Sequence, residues 1–363
     1  MELYYMQQCI ENKQASGNGY FTKKCSSFFT EIYNNKRCLL TTSCTDSLEM
    51  TGLLANIHPG DEVIVPSYTF VTSALAFVRE GATIVFADSR ADNPCIDETK
   101  IEELITVRTK AIVVVHYAGI ACDMDNIMAI ATKYNLLVIE DAAQAIDSYY
   151  KGRLLGSIGD MAALSFHETK NIQCGEGGLL VVNNDRFSKR ADIIWEKGTN
   201  RSEFFRGEVN KYGWKDTGSS FLPCEFVAAC LWAQLEALET IQKRRKQIWD
   251  LYHEGLQSIK DRFLSIPNYA TNNAHLFCFL CDSLEERNRM LKYLRDNKIM
   301  ASFHYLCLHK SEFVKKQSSA SFELSLPHAE RYADCLVRLP LYYEMEDKEV
   351  EYVVNKIVRF YKQ

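Results

Sequence analysis

From about residue 40 to 185, short apolar runs alternate with amphipathic stretches. The runs at 62–66, 83–87, 111–116, 136–140, 161–166 and 179–183 are short and almost unbroken. That is the pattern of strands buried on both faces. Between them, residues 46–57, 72–80, 97–105 and 124–134 carry apolar side chains at helical spacing. The alternation predicts an α/β fold, a large and mostly parallel sheet with helices on both sides. In such sheets ligands bind beyond the carboxyl ends of the strands.

Residues 183–222 are polar and irregular. A long helical pattern follows over 225–256, with Phe226, Cys230, Ala233, Ala237, Ile241, Ile248 and Tyr252 on its apolar side. Its basic cluster, Lys243 to Lys246, reads as a solvated face. Beyond it the pattern predicts a smaller C-terminal α/β unit: a strand at 274–280, a helix at 284–297, a strand at 299–305 and a closing helix at 348–361. The expected division is a large domain over 1–240 and a long helix with a smaller domain over 241–363.

Composition narrows the function. The 363 residues carry a net charge of −5. This argues against a general nucleic-acid or membrane-surface binder while leaving room for a local basic pocket. The 13 cysteines are scattered. Cys278 and Cys281 form a lone C-x-x-C inside an apolar run, so buried strand cysteines are expected rather than a metal site. Many unpaired cysteines fit a reducing cytoplasm. No basic-then-apolar leader opens the chain, and no apolar run approaches the ~20 residues that span a bilayer.

Two places carry chemistry. The run Leu136-Leu137-Val138-Ile139 ends in Glu140-Asp141-Ala142-Ala143-Gln144. Further on, Ser165-Phe166-His167-Glu168-Thr169-Lys170-Asn171 precedes Gly175-Glu176-Gly177-Gly178. A carboxylate closing a buried strand is costly unless a cation or hydrogen bonds meet it. A lysine followed by a glycine-rich loop suits Schiff-base formation. Together they match what pyridoxal phosphate (PLP) requires: a lysine for the aldehyde and an acid at the ring nitrogen. Gln144 is a candidate for the phenolic oxygen, or an ordinary loop residue. Thr41-Thr42-Ser43-Cys44-Thr45-Asp46-Ser47 opens a helix and could cup a phosphate; a plain helix cap reads as well. Ser165 could add a hydroxyl. Phe70 is either a ring stacker or a core aromatic, and His167 either faces the site or sits in the core.

These residues together resemble the fold-type-I, PLP-dependent sugar aminotransferases of the DegT/DnrJ/EryC1/StrS group, almost from end to end. The stretches PGDEVIVPSYTFV, VVHYAG, IEDAAQA and SFHETKN with GEGG carry the likeness. The runs EKGTNRSEFFRGEV, KYGWKDTGSS and LWAQLEAL resemble the branch that aminates dTDP-4-keto-6-deoxy-D-glucose at carbon 4. The resemblance implies that Lys170 holds the cofactor and shuttles the proton, and that Asp141 keeps the ring nitrogen protonated. It also implies that Gln144 meets the phenolic oxygen, that Thr45, Asp46 (through backbone amides) and Ser165 bind phosphate, and that Phe70 stacks.

L-glutamate is the implied donor, with pyridoxamine phosphate between the two half-reactions. A homodimer with the active site at the interface is implied too. Arg201, Arg206 and Lys211 are candidates for the nucleotide's diphosphate, and His304 and His309 for the sugar. Three departures stand out. Relatives usually carry further residues before this start. Ser220 stands where many have an asparagine that reaches the partner's phosphate. Cys174 follows the lysine where a small residue is usual. Alternatives are a 3-keto dTDP-sugar, a UDP-4-keto sugar, or a non-catalytic PLP-binding regulator. A sugar dehydratase would carry histidine in place of Lys170.

Overall fold

Val63, Ile64 and Val65, like Ile112, Val113 and Val114, are fully buried, so these strands have no polar face to show to water. The computed structural model describes residues 1–34, 36–317 and 324–362. Its strands are β1 (Arg37–Thr41), β2 (Glu62–Pro66), β3 (Thr83–Ala87), β4 (Thr109–Val115), β5 (Leu137–Asp141), β6 (Tyr149–Tyr150), β7 (Arg153–Leu154), β8 (Met161–Ser165), β9 (Gly178–Val182), β10 (Cys278–Leu280) and β11 (Leu336–Arg338). Seven of them form one sheet in the order β1-β9-β8-β5-β4-β2-β3. Only β9 runs against its neighbours, β1 and β8; the other pairings are parallel. The carboxyl ends of β1, β2, β4, β5 and β8 therefore share one edge, the edge where the sequence puts its chemistry.

The expected α/β sheet forms, and several element boundaries differ. The helical stretch expected over 97–105 is instead two short 3₁₀ turns, Glu98–Lys100 and Glu102–Leu104. Ile105 turns extended (φ −78°, ψ 130°) to feed β4. The single long helix expected over 225–256 is two, Glu225–Glu236 and Leu238–Gly255, broken at Ala237. The first packs on the N-terminal helices Glu2–Glu11 and Tyr20–Ile32; the second packs on the closing helix Asp347–Tyr361. Each half follows its own neighbours, which requires the break.

The strand expected over 274–280 shrinks to Cys278–Leu280. The strand expected over 299–305 does not form; Ser302 alone bridges to Arg338. The basic cluster is not simply a solvated face. Arg245 is buried and donates to the carbonyls of Ala274 and His275. Arg244 pairs with Asp347 and Lys246 with Asp147. Cys278 and Cys281 are buried and unpaired, as the apolar run implied.

Apolar packing falls into two clusters. The larger encloses the sheet. The smaller gathers Ile248, Tyr252, Phe279, Met290, Val337 and Ile357. We propose on this ground that the division lies in the helix Leu238–Gly255, close to residue 241. Among the described residues, no helix is long and apolar enough to cross a membrane, and no cluster of acidic, His and Cys side chains could hold a metal.

Candidate active site

A cavity of about 370 Å³ opens at the shared strand edge. Asp141 and Ser165 reach it as the last residues of β5 and β8, and Lys170 stands five residues beyond Ser165. The lysine loop is tied down rather than free. Phe166 N donates to Gly177 O (2.8 Å), Glu168 N to Gly175 O (2.9 Å) and Cys174 N to Phe166 O (2.9 Å). Cys174 thus has a packing role: its thiol lies against the carbonyls of Phe166 and Glu176. Beside Lys170, Asn171 is buried and bonds Gln242, the Asn273 carbonyl and His275. This network moors the loop to the C-terminal half.

Burial pushes Lys170 below the ordinary lysine range, partly opposed by Cys44 and Asp141. The lysine is therefore disposed to be neutral, as a base or nucleophile must be. Burial raises Asp141, against hydrogen bonds from Ser73 Oγ (2.6 Å) and the Ala143 amide (3.2 Å). Thr69 Oγ1 lies 2.8 Å from Ser73 Oγ, completing a short polar relay. Among the described residues no cation is within ion-pairing distance of Asp141. A buried carboxylate in that position fits a group bearing a cationic ring nitrogen, which would restore its ionised form.

The cup is a helix N-terminus. Ser43 caps the helix Cys44–Leu54 by accepting from the Asp46 amide (3.1 Å), and the Asp46 carboxylate takes the Thr42 hydroxyl. Asp46 is consequently occupied on both sides, contrary to the expectation that its amide is open. Among the described residues the amides of Cys44 and Thr45 carry no hydrogen bond, and Ser43, Cys44 and Thr45 line the cavity. Two open amides, the Thr45 and Ser165 hydroxyls and a helix N-terminus fit a phosphate. Gly178 is needed here. A Cβ on it would lie 2.4 Å from the Ser43 carbonyl and 2.5 Å from Cys44 N, displacing the cup.

Phe70 lines the cavity and is 53% exposed, so it is not a core aromatic. Gln144 also lines it, accepting from the Ala118 amide (2.6 Å) and donating to Tyr305 OH (3.0 Å). His167 faces the cavity and bonds Thr169. His304 sits behind Tyr305, between Tyr117 OH (2.8 Å) and Arg338 (2.5 Å). His309 lies away from the cavity, held by Ser67 Oγ (2.6 Å) and Glu330 (3.3 Å). It anchors the segment that carries Tyr305, in place of the sugar contact expected of it.

Ser220, Arg201, Arg206 and Lys211 are exposed and outside this cavity. Arg206 pairs with Glu208, and Arg201 stacks over Phe205. Sequence reasoning missed Ser73, Thr69, Tyr305 and Arg338. The two hydroxyls four residues apart, Thr69 just ahead of the helix Thr72–Val78 and Ser73 in its first turn, were the available sign of the first two.

Comparison with known proteins follows the same line. The model of the DegT/DnrJ/EryC1/StrS aminotransferase family matches residues 1–358. The spore coat polysaccharide biosynthesis protein SpsC of Bacillus subtilis is 34% identical over 337 residues, 91% of this chain and 86% of SpsC. Among solved structures, DesV of S. venezuelae superposes with a TM-score of 0.90 at 28% identity, covering 100% of this chain and 94% of DesV. Spr1654 of Streptococcus pneumoniae, described as a sugar aminotransferase and solved in a PLP form, superposes with a TM-score of 0.90 at 26% identity, covering 100% of this chain and 96% of its own. With the lysine, the buried aspartate and an open helix N-terminus in one cavity, the chain belongs to the DegT/DnrJ/EryC1/StrS aminotransferase family and is a PLP-dependent enzyme.

Proposed function

We propose that this enzyme moves an amino group from L-glutamate to the carbon-4 keto group of dTDP-4-keto-6-deoxy-D-glucose. The product is dTDP-4-amino-4,6-dideoxy-D-galactose, destined for a surface polysaccharide. The observation that carries the aminotransferase chemistry is the joint presence of Lys170 and Asp141 in one cavity with an open helix N-terminus. The choice of sugar rests on the runs SFHETKN, EKGTNRSEFFRGEV and KYGWKDTGSS. That its relative SpsC is a spore coat polysaccharide biosynthesis protein supports the destination.

The bound cofactor supplies an electron sink that lets a proton leave and rejoin carbon. The chain supplies the rest. Lys170 Nζ, which burial disposes toward the neutral form, would take the proton from the donor's α-carbon and later deliver one to carbon 4 of the sugar. Asp141 holds the ring nitrogen's proton, oriented by Ser73 and the Ala143 amide. Thr45, Ser165 and the Cys44 and Thr45 amides would seat the phosphate, and Phe70 would stack on the ring. Gln144 Nε2 has a hydrogen not given to Tyr305 and would offer it to the phenolic oxygen. His167 borders the sugar, and His304 stands behind Tyr305.

We further propose a cytoplasmic homodimer. Ser220, Arg201, Arg206 and Lys211 lie outside the lining of their own cavity and would serve the partner's, where a diphosphate needs cations. All 13 cysteines are unpaired, in keeping with a reducing compartment.

The test is NMR of the product formed from PLP-loaded protein, L-glutamate and dTDP-4-keto-6-deoxyglucose. An axial amine at carbon 4 is expected. An equatorial amine would keep the substrate and overturn the product. Bleaching of the cofactor by glutamate without any sugar product would overturn the substrate and redirect the search to 3-keto or UDP-linked sugars.

A further inference from the structure

Gln144 and Lys170 follow different strands, and one asparagine from a third segment ties their surroundings together. Asn273 is fully buried. Its Nδ2 donates to the carbonyls of Gln144 (2.8 Å) and Ile146 (2.8 Å), and its Oδ1 accepts from the His275 amide (3.0 Å). Both side-chain N–H groups are spent on the chain, so Asn273 serves no ligand directly. Its own carbonyl accepts from Asn171 Nδ2 (2.9 Å) and Gln242 Nε2 (3.3 Å).

Asn171, the neighbour of Lys170, is thus held from three sides. Besides Asn273, its Nδ2 meets Gln242 Oε1 (2.8 Å), and its Oδ1 lies 2.7 Å from His275 Nδ1. Burial, with Lys170 and Arg245 close by, holds His275 well below the ordinary histidine range. The ring is neutral, and its Nδ1–H donates to Asn171. Gln144 is held at both ends: Asn273 takes its carbonyl, and the Ala118 amide donates to its Oε1 (2.6 Å).

The backbone bends to allow this. Ala118 (φ 56°) and Ala274 (φ 52°) are both left-handed, a conformation that costs a residue with a Cβ. Gly119 (φ 78°) comes so close that a Cβ on it would stand 2.2 Å from Asn273 Oδ1. Strained backbone persists where its surroundings over-determine it, and it gathers where geometry serves chemistry. We infer that Asn273 is a positioning residue, which sets the spacing between Gln144 and Lys170. This rests on the reading of Gln144 given above and adds to the site a residue that touches neither cofactor nor substrate.

The test follows the visible band of lysine-bound cofactor and the pH at which it changes between its two absorbing forms. It compares PLP-loaded wild type, Asn273→Ala, Gln144→Ala and the double variant. Thermal melting and band intensity check that each folds and loads. A hydrogen bond to the phenolic oxygen favours the more negative, deprotonated form, so losing it raises the transition pH. Gln144→Ala should raise it by about one pH unit. Asn273→Ala should raise it by about half a pH unit in the wild-type background and leave it unmoved in Gln144→Ala, because coupled residues do not add. Asn273→Asp keeps the shape and, with its carboxyl protonated by burial, one of the two donors; its shift should be smaller. It carries the same comparison where Asn273→Ala does not fold. Tyr33→Phe loses a buried bond to the Leu155 carbonyl (3.0 Å) outside the cavity; it should lower melting and leave the band unmoved. A loaded Asn273 variant with lowered melting and an unmoved band overturns the inference and leaves Asn273 a purely structural residue. An equal rise in both backgrounds also overturns it, since Asn273 would not act through Gln144. An unmoved band in Gln144→Ala overturns the reading of Gln144, and this inference with it.

Discussion

Strand β5 ends in two carboxylates that are neighbours in sequence and lie on opposite faces of the sheet. Both are buried. Glu140 meets a full set of donors: His116 Nε2 (2.9 Å) and the amides of Gly156 (2.8 Å), Ile158 (2.7 Å) and Gly159 (2.7 Å). Burial would raise its pKa, yet those partners together hold it below the ordinary glutamate range. Asp141 has two donors, and burial wins. One carboxylate is satisfied and locks the loop that leads into β8. The other is left short of positive charge on the side that opens to the cavity. Structural and chemical carboxylates thus differ by who donates to them, not by depth.

The contrast can be broken on either side. The largest effect belongs to the partner of Asp141 across the cavity. Lys170→Ala should lower turnover by more than about ten-thousand-fold and remove the visible absorbance of lysine-bound cofactor, both read in a spectrophotometer. A variant retaining wild-type turnover would remove Lys170 from the mechanism. Asp141→Asn should cost about 10²–10³-fold in turnover while the cofactor-free protein melts no lower than wild type.

Glu140→Gln should do the reverse, reducing stability by about 3–5 kcal/mol in urea unfolding because it breaks a buried hydrogen-bonded pair. Their pH dependences have opposite signs. Glu140, depressed in the fold, contributes stability that is present above its unfolded value of 4.5 and is lost as pH falls through its folded value. Asp141, raised in the fold, favours the cofactor-free protein below its unfolded value of 3.8, and that contribution is lost as pH rises through its folded value. Glu140→Gln should therefore flatten the acid limb of the stability curve. Asp141→Asn should stabilise the cofactor-free protein at neutral pH. Equal slopes in both variants would erase the distinction. Ser73→Ala, the mildest change, removes one bond to Asp141 and should lower turnover roughly ten-fold with little change in melting.

The legible part of the site was the part built from continuous chain. Asp141 ends an apolar run, Lys170 precedes a glycine-rich loop, and Ser43 to Asp46 open a helix; each signal lies within about ten residues. Even there, detail escaped. Ser43 spends the Asp46 amide on capping, leaving Cys44 and Thr45 open instead. The C-terminal wall was not legible. Tyr305 reaches Gln144 across 161 positions, and His304 reaches Tyr117 across 187. The segment 299–305 has the β-branched and aromatic look of a strand, and it is drawn instead across the cavity, pinned by Ser302, Leu308 and His309.

What the sequence determined by itself was the sheet, the edge where ligands bind, the lysine–aspartate pair and the cofactor they imply. Apolar periodicity and residue chemistry are local properties, and burial on both faces admits few other arrangements. What only the tertiary structure decided was which charges remain unanswered. Glu140 and Asp141 look alike in a string. Donors brought from other segments satisfy Glu140 and leave Asp141 short of them.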